Sequence, residues 1–135
     1  MTKDIKVALD TYMKTNWTNT GIQYDGLDKI IKNNIAYDYK TQDSFISLSY
    51  VPTSNNSYGF GSSNVGRVEY GGVYKVFCYD RNIVNVLTLA DSIKTLLSGI
   101  EIGDIHIGLG QDRTNGDMLN GYYEVICTFD VSQWA

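Results

Sequence analysis

The sequence predicts an α+β domain, a single mixed or antiparallel β-sheet of about four strands with two main helices packed on one face. Three observations lead there. Two stretches, at 4–16 and 82–98, repeat their apolar residues at helical spacing. Four others, at 45–51, 68–80, 105–109 and 123–131, read as strands rich in Tyr, Ile and Val. The 135 residues are 43% hydrophobic, enough for one domain, 1–135, that buries roughly 68–70% of the surface its unfolded chain exposes.

The first helix carries Ile5, Ala8, Leu9, Tyr12 and Met13 on one side and Lys6, Asp10 and Lys14 on the other. Thr2 is its expected N-cap and the run WTNTG its stop. Residues 22–39 fit either a short helix or an irregular strand, with a turn at Asp25-Gly26. In 45–51, Ile46, Leu48 and Tyr50 alternate with Ser47 and Ser49, a half-buried strand expected to end at Pro52. After the loop SNNSYGFGSSNVG, the stretch VEYGGVYKVFCYD places Tyr74, Val76 and Cys78 on one face and Val73, Phe77 and Tyr79 on the other. Apolar groups on both faces call for helices on one side and a neighbour or partner on the other. Gly71 and Gly72 suggest a bulge or a close backbone approach. The second helix has the stripe Val86, Leu89, Ala90, Ile93, Leu96 and Leu97, with Asn82 as cap and Gly99 just past its end. Ile105, Ile107 and Leu109 then alternate with His106 and Gly108, QDRTNGDMLNG is expected to turn, and 123–131 forms the last strand.

Net charge is −4 and the pI about 4.7, with no Lys/Arg cluster of the kind that neutralises phosphates. Tight nucleic-acid binding is not expected. No apolar run has the length of a signal peptide or of the ~18–20 residues that a membrane span needs, so a soluble protein is expected. Cys78 and Cys127 lie in β patterns without a C-x-x-C spacing and read as buried free thiols. His106 stands alone, and no nucleophile motif accompanies it. DRTNGD lacks the ligand spacing of a calcium loop, and GFG leads into a strand where a phosphate loop would open into a helix. Asp25, Asp28, Asp38 and Asp43 are scattered through turns and read as solvated surface. No catalytic residue, metal or cofactor is expected. An enzymatic or ligand-binding alternative would use a crevice beside His106 and Arg113.

The loop is the unusual feature, because structureless connections of this length are uncommon in compact domains. Fixing thirteen backbone residues costs on the order of 13–26 kcal/mol. Burying Tyr58, Phe60 and Val65 returns only about 1.5–3 kcal/mol each. The shortfall predicts an arm that orders against another subunit, with Tyr58, Phe60, Val65, Arg67 and Tyr70 as partner-binding residues.

Several stretches carry a resemblance: TNWTNTGIQYDGL after the first helix, FISLSYVP entering the Gly/Ser loop, GRVEYGGVYKVFCYDR, LTLADSIKTLLSGI and the closing GYYEVICTFDVSQW. In these the chain resembles the tail terminator, or tail completion, proteins of long-tailed bacteriophages, the group of the lambda-like minor tail protein U. The resemblance implies a virion protein, assembled in the bacterial cytoplasm, that forms a homohexameric ring on the tail tube. Its partners would be itself, the tail tube protein and the head-tail connector, with DNA passing through the lumen without specific binding. A neck or head-closure protein of the same connector is the nearest alternative.

Overall fold

The computed structural model describes residues 5–24, 29–57, 68–119 and 121–134. Helix α1 (Ile5–Asn16) leads into strands β1 (Gly21–Gln23), β2 (Ile30–Lys32) and β3 (Ile35–Tyr37), then a 3-10 turn at Tyr39–Thr41. The long strands β4 (Ser44–Ser57) and β5 (Val68–Asp80) follow, then helix α2 (Ile83–Leu97). The chain closes with β6 (Glu101–Ile102), β7 (Ile105–Ile107), β8 (Gln111–Leu119) and β9 (Tyr122–Trp134).

The predicted four-strand sheet is corrected by this topology. Among the described residues there are two α-helices and one mixed sheet of nine strands, ordered β3-β2-β1-β4-β5-β9-β7-β6 with β8 also against β9. The result, 49% strand, is still broadly α+β. Four of the additional strands are only two or three residues long, too short for a period of two to show in sequence. The fifth, β8, occupies the stretch expected to turn; it pairs with β9 from Gln111↔Thr128 to Leu119↔Tyr122. Leu109, placed in a strand by its alternation, instead lies outside β7 and is 81% exposed.

Pro52 does not end β4. The strand absorbs it through a register shift between Pro52 and Ser54, then pairs again from Ser54↔Gly71 to Ser57↔Val68. Proline is tolerated at a bulge because the ladder there is already interrupted. Residues 54–57, expected to be loop, are therefore strand, and only 58–67 of the long connection lie outside the described residues. The undecided stretch 22–39 resolves into β1, β2 and β3. Asn33 and Asn34, at φ 53° and 64°, make the two-residue β2–β3 turn in which both central residues take the left-handed conformation.

Both helices pack on one face of the sheet. Ile5, Leu9 and Met13 of α1 and Val86, Leu89, Ala90, Ile93 and Leu97 of α2 are buried against Ile46, Leu48, Tyr74, Val76, Val125, Cys127 and Phe129. The Thr2 cap lies outside the described residues. At the other end of α1, the Trp17 amide donates to the Met13 carbonyl at 2.8 Å, and the Trp17 indole donates to Thr20 Oγ1 at 2.9 Å. Asn82 caps α2 by accepting from the amides of Val84 at 2.9 Å and Asn85 at 3.3 Å. Gly99, at φ 72°, takes the left-handed conformation that ends it.

Candidate interaction face

The second face of the sheet carries no helix among the described residues. The strand registers set its side chains in rows: Ser47, Phe77, Ile126 and Arg113 in one, Ser49, Lys75, Thr128 and Gln111 in the next, and Val51, Val73 and Asp130 in the third. Phe77, Ile126, Val73 and Lys75 are half-buried, shielded by their neighbours in the sheet. Val51 is 46% exposed. Lys75 and Arg113 enter no ion pair among the described residues. The face is thus apolar at its centre and carries charges of both signs, with Lys75 and Arg113 alongside Glu124 in the row beyond Ile126 and Asp130 exposed in the third row.

One end of this face is closed by a small separate core. Ile30, Phe45 and Tyr122 are buried there against Tyr39 and Tyr79. Phe45 stacks on Tyr79 with ring centroids 4.9 Å apart and meets Tyr122 edge-on at 5.3 Å, the offset and T-shaped arrangements that ring quadrupoles favour. The Tyr122 hydroxyl donates to the Gln42 carbonyl at 2.6 Å and approaches that of Tyr39 at 2.8 Å. Arg81 lies over the Tyr122 ring at 4.5 Å and donates to the Tyr122 hydroxyl and the Lys40 carbonyl, both at 3.0 Å. These bonds tie the 3-10 turn to the sheet. Burial, then the hydrogen bond to Glu124 at 2.7 Å, pushes the Tyr79 phenol well above its usual range. Neither phenol is set up as a base.

Across the molecule, the outer surface of the helix layer also has apolar groups in water. Val84 and Leu87 of α2 are 65% and 42% exposed. One to two turns further on, a groove of about 440 Å³ runs between the end of α1 and α2. It is lined by Asn16, Asn19, Thr88, Ser92 and Thr95, with Asp91 as its charged residue. The Asp91 side chain is 76% exposed and, among the described residues, is held by Lys94 alone at 3.6 Å, while Lys94 makes its closer contact, 2.8 Å, with Asp112.

Of the residues singled out from sequence, Tyr58, Phe60, Val65 and Arg67 lie outside the described residues. Tyr70 sits in β5, its backbone between Asn55 of β4 and Gln133 of β9. His106 and Arg113 do not share a crevice. They pair with Ser132 and Ile126 of β9, six positions apart, which is about 20 Å at ~3.3 Å per residue. His106 is paired with Glu101 at 3.2 Å. Cys78 and Cys127 are buried and unbridged. The neighbouring Cys127 thiol, then burial, raises the Cys78 thiol far above its ordinary value, so it stays protonated and unreactive. Among the described residues no cluster of His, Cys, Asp and Glu could hold a metal ion, and no helix is long and apolar enough to cross a membrane. The apolar group of Val73, Phe77 and Ile126 was partly legible from sequence, since β5 has apolar groups on both faces. Arg113 as its cationic neighbour was hidden by the polar stretch that reads as a turn. No family model matches the chain, and no characterised protein matches it significantly.

Proposed function

We propose that this chain is a structural subunit that assembles with copies of itself into a ring, and that the ring caps the tail tube of a long-tailed bacteriophage and presents the docking surface for the head. The observation that supports this reading is the uncovered face of the sheet. A helix layer fully buries one side, whereas Val51, Val73, Phe77 and Ile126 on the other have no covering layer among the described residues. Apolar surface gathered on one side of a small domain suits a protein partner. The hairpin of β4 and β5 supports it too, because Tyr58, Phe60, Val65 and Arg67 fall between its paired ends, Ser57 and Val68. Those four and Tyr70 are the proposed contacts of the arm with a neighbouring subunit. A closed ring needs one surface to meet a different surface of the next copy. In this reading the subunit is a hexamer component, its other partners are the tube and connector proteins, and no chemistry is required of it.

Two measurements test the reading. Electron microscopy of the purified full chain at high concentration should show closed rings; a chain that stays monomeric there would sink the ring. Particles assembled without the protein should carry overlong tails. Tails of normal length that lack heads would point instead to the neck or head-closure role.

A further inference from the structure

The ring reading leaves open which surface of the next copy covers the uncovered sheet face, and on that reading we infer that it is the outward side of α2. The pairing is head-to-tail, with the sheet face of one copy on the α2 groove of its neighbour.

The match rests on three features. The two surfaces lie on opposite sides of the same molecule, since α2 packs on the other face of the sheet. A contact between them therefore cannot be satisfied within one chain, and it leaves the pair with one surface of each kind free to continue. That is the condition for a heterologous interface, which closes into a ring when its rotation allows. Secondly, each surface has an apolar part that water now meets: Val84 and Leu87 on α2, and Val51, Val73, Phe77 and Ile126 on the sheet. On α2 these lie at i and i+3, with Thr88 and Asp91 continuing the same side at i+4 and i+7. The stripe spans about 10 Å at 1.5 Å per residue, comparable to two rows of the sheet face at ~3.3 Å per residue plus the reach of the side chains.

Thirdly, the two surfaces offer charges of opposite sign. The sheet face holds Lys75 and Arg113, neither in an ion pair among the described residues. The groove beside α2 holds Asp91, exposed and weakly held, within a lining otherwise uncharged. A guanidinium from the next copy fits such a groove, where Thr88, Ser92 and Thr95 offer hydroxyl acceptors around the carboxylate. The opposite pairing, sheet face against sheet face, is isologous: it closes as a dimer, leaves Val84, Leu87 and Asp91 in water and has no surface left to continue a ring. Of the acidic groups on the sheet face, Asp130 stands two rows from Arg113, and Glu124, one row from it, already accepts from the Tyr79 hydroxyl at 2.7 Å.

The experiment uses the full chain and sedimentation velocity over a range of concentrations. One variant disables the helix side, Leu87→Lys; the other disables the sheet side, Ile126→Lys, with Val51→Lys as its substitute should the first not fold. Each is expected to weaken self-association about tenfold to a hundredfold, as charge placed at the centre of an interface does. Mixed together, they should form a one-to-one dimer and nothing larger, because each supplies the single intact surface that the other lacks. A second arm swaps charge: Asp91→Lys alone should dissociate the assembly, and adding Lys75→Glu and Arg113→Glu to the same chain should restore it. If the unmodified chain assembles and Leu87→Lys assembles equally well, this pairing is wrong while the ring stands. If Leu87→Lys stops at a dimer of its own, the sheet faces pair with each other and the inference is overturned. If the unmodified chain never assembles, the ring reading falls and this pairing with it.

Discussion

Strand β5 presents two different environments one residue apart. Tyr74, Val76 and Cys78 are completely removed from water beneath the helices, while Val73, Lys75 and Phe77 on the other side are only half-buried. Both sides are largely apolar, so composition does not explain the difference. What differs is that the helices cover one side, while no second layer covers the other among the described residues. Among the described residues, burial within one chain accounts for the helix side alone, and the other side keeps apolar area whose removal from water remains available to a partner. Area removed from water is worth roughly 25 cal/mol per Å² before the costs of association are counted.

The sharpest way to break the helix side is to open a cavity in it. Leu97 is fully buried at the end of α2, and Leu97→Ala should cost about 2–5 kcal/mol, the usual range for an apolar truncation in a core that relaxes incompletely. Urea unfolding followed by circular dichroism measures this. A loss below ~1 kcal/mol would mean that α2 is not packed as described.

A second break of the same side adds atoms where there is no room. Gly110 lies against the ring of Phe129, which is fully buried, and a Cβ there would meet Phe129 Cε2 and Cζ at less than ordinary contact distance. Gly110→Ala should destabilise by about 1–3 kcal/mol, the cost of overpacking. Gly72 offers the matched comparison, because the atoms its added Cβ would meet belong to the half-buried ring of Tyr50, about 2.5 Å away at Cζ. That ring can swing toward water, so Gly72→Ala should cost less than Gly110→Ala in the same assay. The reverse order would show that Tyr50 is the more tightly held ring.

These elements were not equally legible from the amino acids. Helix α2 could be read in full because its stripe persists over four turns and both ends are marked, by Asn82 and by Gly99. Strand β5 could be read because it is long and rich in β-branched and aromatic residues. The three-residue strands could not, since two side chains on one face make no period; the signal that was there is Asn33-Asn34, two residues that tolerate the left-handed conformation side by side. Residues 54–57 are Ser and Asn, poor strand formers by themselves, and are strand because β5 runs on to Val68 and supplies the ladder. Asp112, Arg113 and Thr114 form strand for the same reason, against β9. Sequence reasoning found the residues with their own local preference and missed those that take their conformation from a partner strand. The candidate face follows suit: β5's share of it could be read, while Arg113 became part of it only once β8 was known to be a strand.

The alkaline limb of stability gives a smaller, signed effect. Burial, reinforced by Asp10, raises the Tyr74 phenol well above its ordinary value of 10.0, and its hydroxyl donates to Asp10 Oδ1 at 2.9 Å. A raised folded value means that the neutral phenol is the form the fold prefers. The contribution is fully present below the unfolded value near 10 and is lost as pH rises from there through the folded value. Tyr74→Phe should lose about 1 kcal/mol at neutral pH, the net worth of the hydrogen bond together with the unpaired Asp10 oxygen. It should also fall less steeply than the parent above about pH 10. Parallel limbs for the two chains, from urea melts on either side of that pH, would show that Tyr74 does not titrate against the fold.

The smallest effect on stability belongs to the uncovered face. Ile126 is half-buried there between Phe77 and Arg113, whereas Val125, one position away, is fully buried on the helix side. Replacing each by threonine separates the two environments. Val125→Thr puts a hydroxyl into the core and should cost about 1–3 kcal/mol; Ile126→Thr leaves its hydroxyl within reach of water, keeps a β-branched residue in the strand and should cost about 0.5 kcal/mol or less. In self-association the order should reverse: Ile126→Thr should assemble more weakly than the parent at equal concentration, and Val125→Thr should assemble normally at any temperature where it remains folded. Urea melts and sedimentation on the same two proteins read both quantities. If Ile126→Thr proves as destabilising as Val125→Thr in the dilute monomer, the second face is already covered within the chain, and the argument for a partner there loses its basis.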